Sequence, residues 1–340
     1  MKAMSSQRPV NIGILGAANI AKLFIEAARP SANVRIGAVA SRDAAKGKAF
    51  AAALGVPVVH ESYNALLADP AIDAIYNPLP NNLHAEWSIR AAEAGKHVLC
   101  EKPLCLTSRE AIAMFDAAER HGVFMVEGYP YRCQPQTIAL RELLAERAIG
   151  TLQTLHASFG FKLLDKSNIR FDPSLGGGAL MDAGSYPVSF IRTVAGERAT
   201  QVHAVGRWSD AGVDETMVGT LEHPSGLLAQ FSCSFSTARH RRATLIGDEG
   251  TITTSYYNDT SEMMPPLIDI TRGVPWDAPR ETLRLPAMSG FLAEAEAFAA
   301  LVREGWSAWP GATPAESLDI ARALEALKES AQTGRTVALD

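Results

Sequence analysis

A near-continuous apolar run, Val10-Asn11-Ile12-Gly13-Ile14-Leu15, passes straight into Gly16-Ala17-Ala18-Asn19-Ile20-Ala21 and then into a helical pattern ending near Pro30. A strand that is apolar on both faces belongs inside a parallel sheet covered by helices. Strand, tight turn and helix in immediate succession form the opening unit of a dinucleotide-binding fold. Each small residue has a purpose there. Gly16 permits the turn, Ala18 lets the backbone approach a pyrophosphate, and Ala21 lets the helix pack closely on the strand. The phosphates then rest at the helix N-terminus, beside Asn19 and Ile20. The spacing is Gly-x-Ala-x-x-Ala rather than three glycines, and on its own it equally describes a small-residue helix start in any α/β protein.

The alternation continues through the first half. Strands are expected at 34–40, 56–59, 71–76, 98–100 and 123–127, and helices at 44–54, 63–67, 84–94 and 108–121. Five or six strands joined by crossover helices make a doubly wound parallel sheet, which binds ligands at the carboxyl ends of its strands. The second strand ends in Ser41-Arg42, with no acidic side chain to accept from a ribose 2′-hydroxyl. A hydroxyl and a guanidinium instead offer donors to a 2′-phosphate, so the cofactor reads as NADP(H) in preference to NAD. Ser41 or Asp43 can equally cap the helix that follows, and both roles can coexist. Asn82 is placed to cap the helix that begins at His84. The strand at 98–100 delivers Glu101-Lys102-Pro103 at its carboxyl end, where Pro103 stops the strand and biases Lys102 toward an extended conformation.

Composition narrows the partners. A chain of 340 residues, 47% apolar and 20% charged, suggests two domains, here 1–128 and 129–340. The net charge of −5, without a Lys/Arg run, argues against nucleic acid and acidic membranes and for a small-molecule ligand. No run of eighteen apolar residues occurs and the first ten residues are polar, so a cytoplasmic, soluble protein is expected. Cys100, Cys105, Cys133 and Cys233 read as reduced thiols, and their spacing suggests no metal site.

With these pieces assembled, the chain resembles the large family of NAD(P)-dependent oxidoreductases named after glucose-fructose oxidoreductase and inositol dehydrogenase (Gfo/Idh/MocA). The residues that carry the resemblance are 16–21, 78–84, 94–103 and Gly176-Gly177-Gly178-Ala179-Leu180-Met181-Asp182-Ala183-Gly184-Ser185-Tyr186. It implies a Rossmann domain followed by an α+β domain with a large, mostly antiparallel open sheet. It further implies that Lys102 lies beside the nicotinamide and the substrate hydroxyl, often with a cis bond to Pro103. Pro78, Pro80, Asn81, His84 and Glu101 join the cofactor contacts on the same ground. The position of Tyr186 is a histidine in inositol dehydrogenase, and the tyrosine is similar to that of glucose-fructose oxidoreductase, dimeric dihydrodiol dehydrogenase and NADP-dependent xylose dehydrogenases.

In the second half, 150–161 reads as the first strand of a new sheet and 179–194 as a helix carrying Asp182 and Tyr186 four residues apart, hence on one face. Tyr131, Arg132 and Arg170 are candidate pocket residues, and equally surface or interdomain groups. Alternating segments at 201–208, 216–222, 226–236, 242–247 and 250–256 read as an antiparallel meander. One face of such a sheet is left over, and relatives bury it, so a homodimer or homotetramer is expected. Closing helices near 291–303 and 314–332 are expected to pack back on the first domain. The chemistry expected is reversible oxidation of a secondary alcohol on a sugar or cyclic polyol, with Tyr186 as acid or base. Lys102 would favour its phenolate, and Asp182 would hold a second hydroxyl. The alternatives are a trans-dihydrodiol dehydrogenase, a nicotinamide-dependent glycosidase using transient oxidation, and a non-catalytic NADPH-binding protein.

Overall fold

The apolar run at the amino terminus is strand β1 (Val10–Leu15), buried along almost its whole length and leading at Gly16 into helix α1 (Asn19–Ala28). The computed structural model describes residues 8–339, which fall into two units.

The first unit holds residues up to 105, 109–133 and 289–314. After α1 come β2 (Val34–Ala40), α2 (Ala44–Leu54), β3 (Val58–His60), α3 (Tyr63–Leu67), β4 (Ala74–Asn77), α4 (His84–Glu93), β5 (His97–Glu101), α5 (Ser108–His121) and β6 (Met125–Gly128). The strand order is β3-β2-β1-β4-β5-β6 and every pairing is parallel. The chain reverses its direction of travel across the sheet between β1 and β4, and the crevice outside their carboxyl ends is where such sheets bind ligands. The core under this crevice is aromatic: Tyr76 of β4 stacks on Phe24 of α1 at 4.1 Å, a contact worth about 1 kcal/mol beyond area burial.

The first unit reaches beyond the expected boundary at residue 128, because Pro130–Cys133 is buried and the helix Gly290–Glu304 joins it. That helix is anchored at its middle and its C-terminal end: Glu296 accepts from Ser31 Oγ and from Asn33 Nδ2, and Arg303 donates to Asn33 Oδ1 and the Arg8 carbonyl.

The second unit begins at Gln134. Helix α6 (Pro135–Ala145), which periodicity alone did not disclose, precedes β7 (Leu152–Lys162) and α7 (Ser185–Ala195). Strands β8 (Gln201–Trp208), β9 (Asp214–Glu222), β10 (Leu228–Ser234), β11 (Ser236–Gly247), β12 (Gly250–Ser255), β13 (Leu267–Arg272), β14 (Arg280–Arg284) and β15 (Val337–Ala338) complete it. The sheet order is β14-β13-β12-β11-β7-β10-β9-β8-β15, antiparallel except between β7 and β10. One face packs on α7, where Phe190 stacks on Tyr256 at 4.5 Å.

The helix Pro314–Thr333, expected on the first domain, belongs from Ala315 onward to the second unit. Its polar groups explain the choice: Asp319 accepts from Arg192 Nε of α7 at 2.8 Å, and Ser330 Oγ accepts from the Ala204 amide of β8 at 2.9 Å. All four cysteines are buried free thiols. Among the described residues no helix is long and apolar enough to cross a membrane.

Candidate functional site

In the first unit the candidate residues gather at the carboxyl ends of β1, β2, β4 and β5. Gly16 holds φ at +85°, and a Cβ there would press on the Leu79 side chain at 3.1 Å, so glycine is required both for the turn and for the close approach. Ala18 caps α1 without a side-chain bond, and the first turn carries no acid, leaving its amides to serve an anion.

At the end of β2 the structure settles which residue caps α2. Asp43 accepts from the Lys46 amide at 3.0 Å, while Ser41, only 6% exposed, accepts from the Asp43 amide at 3.3 Å. Arg42 is exposed and lies close enough to Tyr63 for its charge to act on the phenol, which burial raises against the pull of that guanidinium. Tyr63 was not singled out from sequence, and its position directly after the capping Ser62 was the available signal.

Beyond β4, Asn77 is fully buried and donates to the His84 carbonyl and Ser88 Oγ while accepting from the Leu79 amide, which fixes the loop at 78–83. Asn82 does not cap α4. A short 3₁₀ turn, Asn81–Leu83, intervenes and leaves Leu83 at the cap with no side-chain bond. His84 is 1% exposed, with Nδ1 2.8 Å from the Pro103 carbonyl and Nε2 2.7 Å from the Leu79 carbonyl. Burial, reinforced by the charge of Lys102, pushes the imidazole down to about 4 against the two carbonyls, which favour its proton. The neutral ring has one N–H, so it donates to one of the two carbonyls while its other nitrogen lies against the second.

Lys102 follows Glu101 at the end of β5, and its peptide bond to Pro103 is cis. The neighbouring chain is firmly held. Glu101 accepts from the Tyr76 hydroxyl at 2.6 Å and from the Lys102 amide at 3.2 Å, and Glu127 of β6 accepts from the Leu104 amide at 2.9 Å. Tyr131 and Arg132, read as pocket, surface or interdomain groups, are each 1% exposed within the first unit. Buried near Cys133, which feels both its charge and that of Arg132, is Glu294, 0% exposed with neither carboxyl oxygen hydrogen-bonded. Among the described residues no group of three or more His, Cys, Asp or Glu is arranged to hold a metal ion.

In the second unit the glycine run delivers Tyr186. Gly178 has φ +117°, and a Cβ there would lie 2.3 Å from Asp214 Oδ1. The buried Asp214 carboxyl, raised by its burial, accepts from the Leu180 amide at 2.6 Å and so caps the turn that leads into α7. Gly178→Ala is expected to destabilise the protein by at least about 2 kcal/mol, from backbone strain and this collision, as read by urea unfolding.

The turn itself, Leu180–Gly184, is π-helical, so Asp182 and Tyr186 do not superpose as residues four apart in an α-helix would. Asp182 pairs with Arg170 Nε at 2.6 Å, which brings two of the candidates together. Tyr186 is 4% exposed. Its hydroxyl accepts from Asn258 Nδ2 at 2.7 Å, the Arg241 guanidinium lies 3.9 Å from its ring centroid, and Phe159 meets it edge-on at 5.5 Å. Asn258 and Arg241 escaped the sequence reading.

Residues 10–129 match the model of an oxidoreductase family with an NAD-binding Rossmann fold, and 137–253 match the Gfo/Idh/MocA C-terminal domain. Over 330 residues the chain is 37% identical to D-xylose 1-dehydrogenase (NADP(+)) 2 of Haloferax volcanii, covering 96% of this chain and 99% of that protein. The chain belongs to the Gfo/Idh/MocA oxidoreductase family. Within this family it is also 36% identical to a trans-1,2-dihydrobenzene-1,2-diol dehydrogenase of Danio rerio, over 71% of this chain and 72% of the relative. A 3-ketoreductase from Actinomadura kijaniata, solved in complex with NADP and TDP-benzene, superposes with a TM-score of 0.86 at 31% identity, over 95% of this chain and 98% of that one.

Proposed function

We propose that this Gfo/Idh/MocA enzyme interconverts a secondary alcohol and the corresponding ketone or lactone on a sugar or cyclic diol, using NADP(H). The observation that carries the reading is the tyrosine whose hydroxyl is held by an amide donor and whose ring is covered by a guanidinium. Gly16, Ala18, Asn19, Ile20, Ser41, Arg42 and the loop at 78–81 fit a dinucleotide: Gly16 makes the tight turn at φ +85°, the α1 amides are uncapped, and a guanidinium stands at the end of β2. The name of the xylose dehydrogenase carries NADP(+), and the ketoreductase was solved with NADP bound.

When bound, the nicotinamide supplies or accepts the hydride. The chain's own residues move the proton and hold the substrate. In reduction the Tyr186 phenol gives its proton to the carbonyl oxygen, and in oxidation it takes the hydroxyl proton back. Lys102 donates to the same oxygen and steadies the charge that builds on it. Arg170 and Asp182, a donor beside an acceptor, orient a second hydroxyl. A panel of D-xylose, other aldoses and cyclic trans-diols, run with NADP+ and NAD+, tests the reading. Turnover of none of them with either cofactor would refute it.

Arg42→Ala is expected to weaken NADPH binding by roughly tenfold to a hundredfold, the worth of a charge-assisted contact, and to leave NADH binding nearly unchanged. Fluorescence titration of both reduced cofactors reads this directly. Assembly follows from the outer face of the sheet, where Val205 and Val218 stand exposed as a cross-strand pair and Leu228 is exposed further along, opposite Glu222. We read that face as the interface of a homodimer in the cytoplasm, and a monomeric mass by light scattering would overturn the assembly.

A further inference from the structure

Strand β11 carries a charge where its alternation places apolar side chains. The inward row reads Leu245, Ala243, Arg241, set opposite Leu155, Ala157 and Phe159 of β7. Arg241 is only 6% exposed, and among the described residues it has no carboxylate partner. A buried guanidinium without a counter-charge is costly to keep. Its hydrogen bonds go to the Tyr256 carbonyl at 3.0 Å and Asn258 Oδ1 at 2.9 Å, and its Nε has no hydrogen-bond partner. Two aromatic faces cover the remainder, Phe159 at 4.1 Å and Tyr186 at 3.9 Å.

A neutral phenol repays this arrangement only through its ring quadrupole. The repayment grows when the phenol gives up its proton, since the charge left on oxygen spreads into the ring beneath the guanidinium. Asn258 links the two groups. Its Oδ1 accepts from Arg241, and its Nδ2 donates to the Tyr186 oxygen. Because that oxygen accepts there, its own hydrogen is directed elsewhere, and the bond from Nδ2 strengthens as the oxygen turns negative.

We propose that Arg241 and Asn258 are a positioning pair that aims the Tyr186 phenol and carries the negative charge developing on it during proton transfer. The inference rests on Tyr186 being the acid–base group. In the step concerned, the phenolic O–H bond breaks, the proton passes to the substrate oxygen, and the electron pair remains on the phenolate oxygen. The reverse step restores the bond.

The test compares Arg241→Gln, Arg241→Lys and Asn258→Ala, each alone and combined with Tyr186→Phe. D-xylose with NADP+ is the probe, or the fastest substrate of the panel above, and kcat and KM are read separately. Arg241→Gln is expected to lower kcat by about 30-fold and Asn258→Ala by about tenfold, with KM within about threefold of the parent. Arg241→Lys, which keeps the charge, recovers part of the loss. In the Tyr186→Phe background neither substitution lowers the residual rate more than about twofold, because the group they serve is gone. Unchanged kcat in the single variants, or equal losses in both backgrounds, would overturn the pairing while leaving the role of Tyr186 standing. A Tyr186→Phe enzyme with near-normal turnover would instead remove the reading on which the pairing rests. Should Arg241→Gln not fold, Asn258→Ala and Arg241→Lys carry the same comparison.

Discussion

Replacing Tyr186 with phenylalanine is expected to cut turnover by about 10²- to 10⁴-fold, the usual worth of a positioned general acid or base, with NADPH binding unchanged. The substitution removes one oxygen and keeps the ring that Phe159 and Arg241 pack against, so folding should survive. Lys102→Ala should cost about 10²-fold by a different route, through the loss of the charged donor proposed for the substrate oxygen. Under the proposed chemistry, which assigns both groups to one proton transfer, the two losses should be strongly non-additive. Steady-state kinetics of the two single variants and the double variant, beside fluorescence titration of NADPH, checks all of this. Near-normal turnover in both single variants would mean that neither group serves the reaction.

The parts of the site legible in the sequence are those whose chemistry is local. Gly16 is required by a turn that its own neighbours dictate, Ser41 and Arg42 stand at the end of a strand that its apolar run marks out, and Lys102 is announced by the proline after it. What escaped is set by contacts between distant segments. Asp214 caps the turn that begins at Leu180, 34 residues earlier, and the turn is π-helical, so an α-helical reading of 179–194 misplaced Asp182 relative to Tyr186. Asn258 lies in irregular chain just after β12, where no periodicity marks a residue out. Arg241 did leave a trace, as a charge in register with Ala243 and Leu245, but alternation does not show which ring will lie over it. The helix Gly290–Glu304 shows its apolar stripe in sequence, yet nothing there reveals that Glu294 faces inward with that stripe.

That buried carboxyl should be visible in the pH dependence of stability, where Glu294→Gln is expected to steepen the loss on acidification. Two histidines set the underlying trend. Both ring nitrogens of His84 face main-chain carbonyls, while His97 Nδ1 accepts from the Phe124 amide at 2.9 Å and would lose that bond on protonation. Burial pushes each down to about 4, against about 6.5 in the unfolded chain. Above pH 6.5 neither state holds these protons and the contribution is constant. Below it the unfolded chain takes up protons that the native state refuses, so stability falls by about 1.4 kcal/mol per pH unit for each histidine, reaching about 3 kcal/mol apiece near pH 4.

Glu294 runs in the opposite direction. Burial first, and the charge of Glu101 second, raise its carboxyl well above the ordinary value, so the native state holds a proton that the unfolded chain has already released. Stability from this group therefore rises as the pH falls through the raised folded value, and the gain is complete below about 4.5. Where the two effects overlap, Glu294 works against the histidine loss. A glutamine takes up no proton in either state, so between neutral pH and about 4.5 the variant should lose stability faster than the parent as the pH falls. Urea unfolding of both proteins at several pH values in that interval measures the difference. Parallel curves would mean that Glu294 keeps its charge in the native protein, in spite of having no hydrogen-bond donor to stabilise it.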